Sequence, residues 1–88
     1  MGDGEWTRER LAKLIHEILR DEILTVEGDF SPQSNLVEAG LDSLAVTQLM
    51  LSIEERTGIW VDESLLTPEN LATSETLANL VFEQLQSA

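Results

Sequence analysis

The segment Glu38-Ala39-Gly40-Leu41-Asp42-Ser43-Leu44 has the clearest capacity for chemistry in this chain. It sets a serine hydroxyl directly behind Asp42, an acidic residue of the kind that caps helices, at the expected first position of an amphipathic helix. A helix N-terminus offers unpaired amide donors and the positive end of the helix dipole, so a phosphodiester on Ser43 would gain local stabilisation. The like charge of Asp42 opposes this, and the two effects coexist when the phosphate points into water. Before attachment, the Asp42 carboxylate is placed to help hold a divalent ion supplied with a donor nucleotide. The remaining serines lack this setting: Ser31 precedes a proline, Ser52 falls inside the same helix, and Ser74 is expected to cap the last helix without a Gly-Leu-Asp lead.

Other chemistries are poorly supplied. The chain has no cysteine and a single histidine, so a thiolate metal site, a disulfide framework and a His-Cys or Ser-His pair all lack components. His16 falls among the polar positions of the first helix and reads as a surface residue. The acids of the first loop do not form a calcium loop, because counting from Asp29 puts Pro32 at the fourth position and Gly40 where a bidentate Glu is needed. An enzyme using Ser43 as its own nucleophile fails because no triad can be assembled around it.

Positioning Ser43 requires a scaffold, and the apolar spacing supplies an all-α one. Leu11, Leu14, Ile15, Ile18 and Leu19 recur at helical spacing and predict a first helix from about Thr7 to Leu24, with Thr7 as N-cap and Trp6 and Leu11 as a hydrophobic staple. Residues 25–42 hold Gly28, Ser31-Pro32, Asn35 and Gly40 beside Phe30, Leu36 and Val37, the pattern of a long loop pinned to the core at several points. A second helix runs from the Asp42 cap to about Thr57 and stops at Gly58. Ile59-Trp60-Val61 is a short apolar stretch in which Trp60 is expected to cover the bottom of the core or, alternatively, to extend an exposed surface. Thr67-Pro68 predicts a brief third helix, and Thr73-Ser74-Glu75 start the last, with Leu77, Leu80, Val81 and Leu85 as its apolar stripe. The expected architecture is a four-helix bundle with a long first loop and a short third helix, a single domain over residues 1–88.

Composition and charge narrow the partners. At 88 residues and 42% apolar content the chain suits one small core and leaves no room for a deep catalytic cleft. The net charge is -12, and after residue 20 the acids face Arg56 as the only Lys or Arg. Such a surface repels nucleic acid and anionic lipid and attracts basic protein surfaces. No apolar run approaches the length of a bilayer span, and no secretory signal is visible, so the expectation is a cytoplasmic monomer with no membrane or nucleic-acid role.

With Gly40-Leu41-Asp42-Ser43-Leu44 opening an amphipathic helix in an acidic chain of this length, the sequence resembles the acyl carrier protein family over nearly its whole extent. The resemblance implies a non-enzymatic carrier whose Ser43 is modified with 4′-phosphopantetheine by a phosphopantetheinyl transferase using coenzyme A. The arm's thiol would hold thioester-bound intermediates of fatty-acid, polyketide or related biosynthesis, and an acyl-loading ligase or synthase and downstream enzymes would be partners. It also implies that Asp42 lies at the transferase interface and that the second helix is the main recognition element. Fatty-acid carriers usually have a small residue where this chain has Leu41, polyketide-type carriers are closer, and peptide-synthetase carriers tend to have His or Asp after paired glycines. Leu41 therefore inclines the reading toward an acyl cargo, with an aminoacyl or peptidyl carrier as the alternative.

The helical wheel adds a separate observation. Ala45, Val46, Leu49, Met50 and Ile53 form a core face, while Leu44 and Leu51 lie opposite, beside Thr47, Gln48, Glu54 and Glu55. Leu44, Thr47, Leu51, Glu54 and Glu55 are thus the candidate partner-binding residues, an apolar strip with an acidic border. An unmodified acidic interaction protein would explain the charge and leave the motif around Ser43 as coincidence.

Overall fold

A computed structural model of the chain describes residues 6–24 and 30–87, which are all-helical with no strand among them. The first helix, α1 (Arg8–Ile18), begins where expected: the Thr7 hydroxyl accepts a hydrogen bond from the Arg10 amide at 3.1 Å. Trp6, just before that cap, packs against the core, and Leu11, Ile15 and Ile18 bury the helix's apolar stripe completely. The chain then widens into one π-type turn, Leu19–Ile23, closed by the Leu24 amide on the Leu19 carbonyl at 2.8 Å. The expected helical span to Leu24 is met, with its last turn looser than an α-helix.

Glycine 28 and its neighbours in 25–29 lie outside the described residues. From Phe30 onward the loop is stitched to the far end of the chain. The Leu36 amide donates to the Ala72 carbonyl at 2.8 Å, the Glu75 amide to the Pro32 carbonyl at 3.3 Å, and the Gln33 side-chain amide to the Glu75 carboxylate at 2.6 Å. Leu36 is fully buried and Phe30 partly so, but the expected third pin, Val37, points outward. A turn capped by Asn35, whose side chain accepts from the Glu38 amide at 2.9 Å, ends at Gly40. There φ is +109°, a conformation glycine adopts without the Cβ penalty. The Leu41 amide then bonds the Leu36 carbonyl at 2.9 Å, and Leu41 is buried.

Helix α2 (Ser43–Thr57) has the expected ends. Asp42 caps it, and Gly58 closes it at φ +75° with its amide on the Glu54 carbonyl. Ala45, Leu49, Met50 and Ile53 face the core. Ile59 and Val61 bury on either side of an outward Trp60, and a 3-10 turn follows at Glu63–Leu65.

The short third helix is reduced to one turn. Thr67 does act as its cap, accepting from the Asn70 amide, and the Leu71 amide reaches the Thr67 carbonyl at 2.9 Å. The turn is not propagated: the Thr73 amide, which a further helical turn would direct at the Glu69 carbonyl, donates instead to the Thr76 hydroxyl at 3.0 Å. The last helix, α3 (Ser74–Ser87), is capped by Thr73 rather than Ser74. The Thr73 hydroxyl accepts from the Thr76 amide while the Thr76 hydroxyl accepts from the Thr73 amide, a reciprocal capping box built from two threonines. Ser74 is fully buried instead. Leu77, Leu80 and Val81 bury as the stripe predicts, with Leu85 partly covered, and α1 packs more extensively on α3 than on α2.

Candidate functional site

Ser43 occupies the first position of α2 because Asp42 ends the preceding extended backbone (φ -125°, ψ -175°) and starts the helix. The Asp42 Oδ1 accepts the Ala45 amide at 2.9 Å, and its carbonyl accepts the Val46 amide at 2.9 Å. Ser43 is exposed, and its hydroxyl has no hydrogen bond among the described residues. Upstream, the buried Leu36 and Leu41 fix the loop, so the hydroxyl is presented from a rigid corner rather than a free strand.

Ser43 also lines an open groove of about 500 Å³. One wall is α2, through Val46 and Met50; the other is the segment running from Trp60 past Leu66 and Pro68 to Leu71. Val37 and Thr47 contribute to the same groove. An exposed, unengaged hydroxyl beside an apolar channel fits covalent attachment of a flexible arm carrying a phosphate at its root.

The outward face of α2 carries the other predicted residues together. Leu44 is 67% and Leu51 50% exposed, and Glu54 and Glu55 are exposed with no ion pair among the described residues. Thr47 is exposed too, but its hydroxyl turns back to donate to the Ser43 carbonyl at 3.1 Å. Arg56 pairs with Glu22 of the π-type turn.

Two groove residues were not singled out by the pattern of α2. Trp60 is 51% exposed, so the expectation that it covers the core is corrected: Ile59 and Val61 fill that space, and the alternation of extended backbone turns Trp60 outward. Val37 is 63% exposed. The in-out-in alternation of Ile59-Trp60-Val61 was the available signal for Trp60; Val37 had none.

His16, expected at the surface, is half-buried. Its ring stacks on Phe30 with centroids 4.9 Å apart and planes 13° from parallel, and its Nδ1 is buried without a partner among the described residues. Burial and, secondarily, the nearby Arg20 charge hold its pKa below the ordinary value, against the opposite pull of Glu17 and Asp21.

No helix among the described residues is long and apolar enough to cross a membrane. Comparison with known proteins gives a consistent family. The family model described as "Phosphopantetheine attachment site" matches residues 9–81. Aminoacyl carrier protein 1 of Bradyrhizobium diazoefficiens is 40% identical over 81 residues, covering 92% of this chain and 88% of the relative. Among solved structures, a chain in the crystal structure of Bradyrhizobium japonicum glycine:carrier protein ligase complexed with glycylated carrier protein aligns with TM-score 0.61 and 36% identity, over 83% of this chain and 96% of that one. A chain in the complex of the engineered ligase with a carrier protein from Agrobacterium tumefaciens and ATP aligns with TM-score 0.67 and 31% identity, over 83% and 97%.

Proposed function

Because the chain belongs to the acyl carrier protein family, with a phosphopantetheine-attachment domain spanning most of its length, we propose that it is an aminoacyl carrier whose Ser43 bears the arm. Carrier proteins are non-catalytic, and the chemistry of the family resides in covalent 4′-phosphopantetheine, whose terminal thiol holds cargo as a thioester. The observation that carries the reading is the exposed Ser43 hydroxyl, free of hydrogen bonds among the described residues, at the first position of α2 and the edge of an apolar groove. Asp42 has two roles here: one carboxylate oxygen caps α2 and fixes the serine, and the other faces the transferase and the divalent ion it brings. The exposed strip of Leu44, Thr47, Leu51, Glu54 and Glu55 receives the transferase, the charging ligase and downstream enzymes.

The choice of cargo rests on relatives named as aminoacyl carriers and on carriers bound to a glycine ligase. It departs from the acyl cargo that Leu41 suggested, and for a physical reason. Leu41 is buried in the core, so its size answers to packing and has little bearing on what the arm carries.

Intact-mass measurement tests the attachment. Expression with a broad-specificity transferase should add one phosphopantetheine to the wild type, Ser31→Ala and Ser74→Ala, and none to Ser43→Ala. Modification persisting in Ser43→Ala defeats the assignment. The holo protein incubated with ATP, single amino acids and a charging ligase should gain the mass of an aminoacyl group. A holo protein that accepts acyl groups and no amino acid overturns the cargo reading and leaves the arm in place.

A further inference from the structure

The four large apolar side chains exposed among the described residues, Val37, Leu44, Leu51 and Trp60, all lie on α2 or the groove beside it. None is on α1 or α3. Isolated exposed leucines are ordinary on any protein surface, but their confinement to one side is not what scatter produces.

Trp60 stands out within this set. Trp6 lies under the Arg10 guanidinium, Phe30 stacks on His16 and Phe82 lies under Arg8, whereas Trp60 has no ring contact among the described residues. Burial of Ile59 and Val61 on both sides pins its backbone and holds the indole out. A large ring kept exposed on a fixed backbone loses little freedom when another surface covers it. The charges around it have one sign. Asp62 and Glu63 follow directly and are exposed, Asp42 and Glu63 line the same groove, and the nearest basic side chain on α2, Arg56, is engaged by Glu22.

We propose that Trp60, with Val37 beside the groove, is the aromatic anchor by which the enzyme that charges the arm grips this protein. The complementary surface is an apolar socket rimmed by Lys and Arg. This rests on the carrier reading of Ser43. Leu44 and Leu51 alone are separated by about 10 Å along α2, and Trp60 extends the apolar surface into the groove, a spread suited to a protein partner. A second copy of the chain would oppose acid to acid across that surface. The transferase works at Ser43 itself, where Asp42 and the start of α2 are already within its reach. An enzyme working at the tip of a long arm must hold the carrier at points away from Ser43, and Trp60 is such a point.

The test uses the full holo chain labelled with 5-fluorotryptophan, with Trp6→Phe assigning the two fluorine NMR signals. Unlabelled charging enzyme should shift or broaden the Trp60 signal and leave that of Trp6. Trp60→Ala should raise the KM for the carrier about tenfold with kcat unchanged, Trp60→Phe should retain most of the affinity, and Lys13→Ala on the exposed side of α1 should match wild type. Circular dichroism checks that each variant is folded.

Three behaviours of the fluorine signal would overturn the anchor: a Trp60 signal that stays still while the protein is charged, one that moves on apo-to-holo conversion without enzyme, which assigns the groove to the arm, or one that moves with protein concentration alone, which assigns it to a second copy. Equal loss of arm transfer and charging in Trp60→Ala assigns the residue to the transferase instead and also overturns it. If the wild type accepts only acyl cargo, the aminoacyl reading falls, and the same titration is read with the acyl-charging enzyme.

Discussion

Asp42 lets capping and charge be separated at one position. In Asp42→Ala the Ala45 amide loses its acceptor at 2.9 Å, and α2 loses the side chain that starts it. Loss of such a cap costs about 1 kcal/mol, within a range of about 0.5–2, which for a domain of this size lowers Tm by about 4–8 °C. Asp42→Asn keeps a side-chain oxygen for the same amide. It gives up the favourable charge at the helix N-terminus, worth about 0.3–1 kcal/mol, and at the same time relieves repulsion in a chain of net charge -12. The melting temperatures should therefore rank wild type and Asp42→Asn close together with Asp42→Ala clearly below, by far-UV circular dichroism at fixed ionic strength. Arm transfer to Ser43 should rank differently: both variants slow, because both lack the carboxylate beside the serine. If Asp42→Asn melts as low as Asp42→Ala, the capping account is wrong. If Asp42→Asn accepts the arm at the wild-type rate, the carboxylate has no role beyond holding the helix.

Gly58→Ala should lower stability by about 1–2 kcal/mol through backbone conformation alone, since φ is +75° and no atom lies within 4 Å of the added carbon; Gly58→Asn should recover part of it, and equal losses in urea titrations would contradict this. Leu49→Ala, in the filled core, should cost about 2–5 kcal/mol, while Leu44→Ala and Leu51→Ala should stay within about 0.5 kcal/mol of wild type, a contrast read from urea midpoints. His16 has a folded pKa below its ordinary 6.5, so the unfolded chain binds the proton more readily and stability falls as pH drops through 6.5 and below. Relative to His16→Gln, the wild type should lose ground over that window; a constant difference between the two on both sides of 6.5 would show that His16 does not titrate on unfolding.

The ends of α2 were legible because each depends on one residue with a local mechanism: Asp42 supplies an acceptor for its own helix and Gly58 a left-handed backbone. The wheel of α2 was legible too, since which side faces the core follows from Leu49 and Ile53 alone. What escaped depends on partners distant in sequence. Phe30 returns from the loop to cover His16, which helical spacing had assigned to solvent. The turn after Thr67 fails to extend because the Thr76 hydroxyl claims the Thr73 amide that would continue it. At the start of α3, Thr73 and Ser74 are adjacent hydroxyls of similar capping strength, and the pairing of Thr73 with Thr76 decides between them. Cargo was not readable from Leu41 because that side chain is committed to the interior.

The hydrogen bonds from Leu36 to Ala72 and from Leu41 back to Leu36 tie the corner before Ser43 to a segment more than thirty residues downstream. They run from the entrance of α3 to the residue preceding Asp42, so the corner that presents Ser43 closes only when the C-terminal helix has arrived. Contacts between segments this far apart form late, after the cost of closing the intervening chain has been met. A nascent polypeptide still lacking residues beyond 72 therefore has its serine but not its corner. With the arm attached at Ser43 as proposed, its transfer should follow completed folding, and in a destabilised variant the transfer rate should track the native fraction.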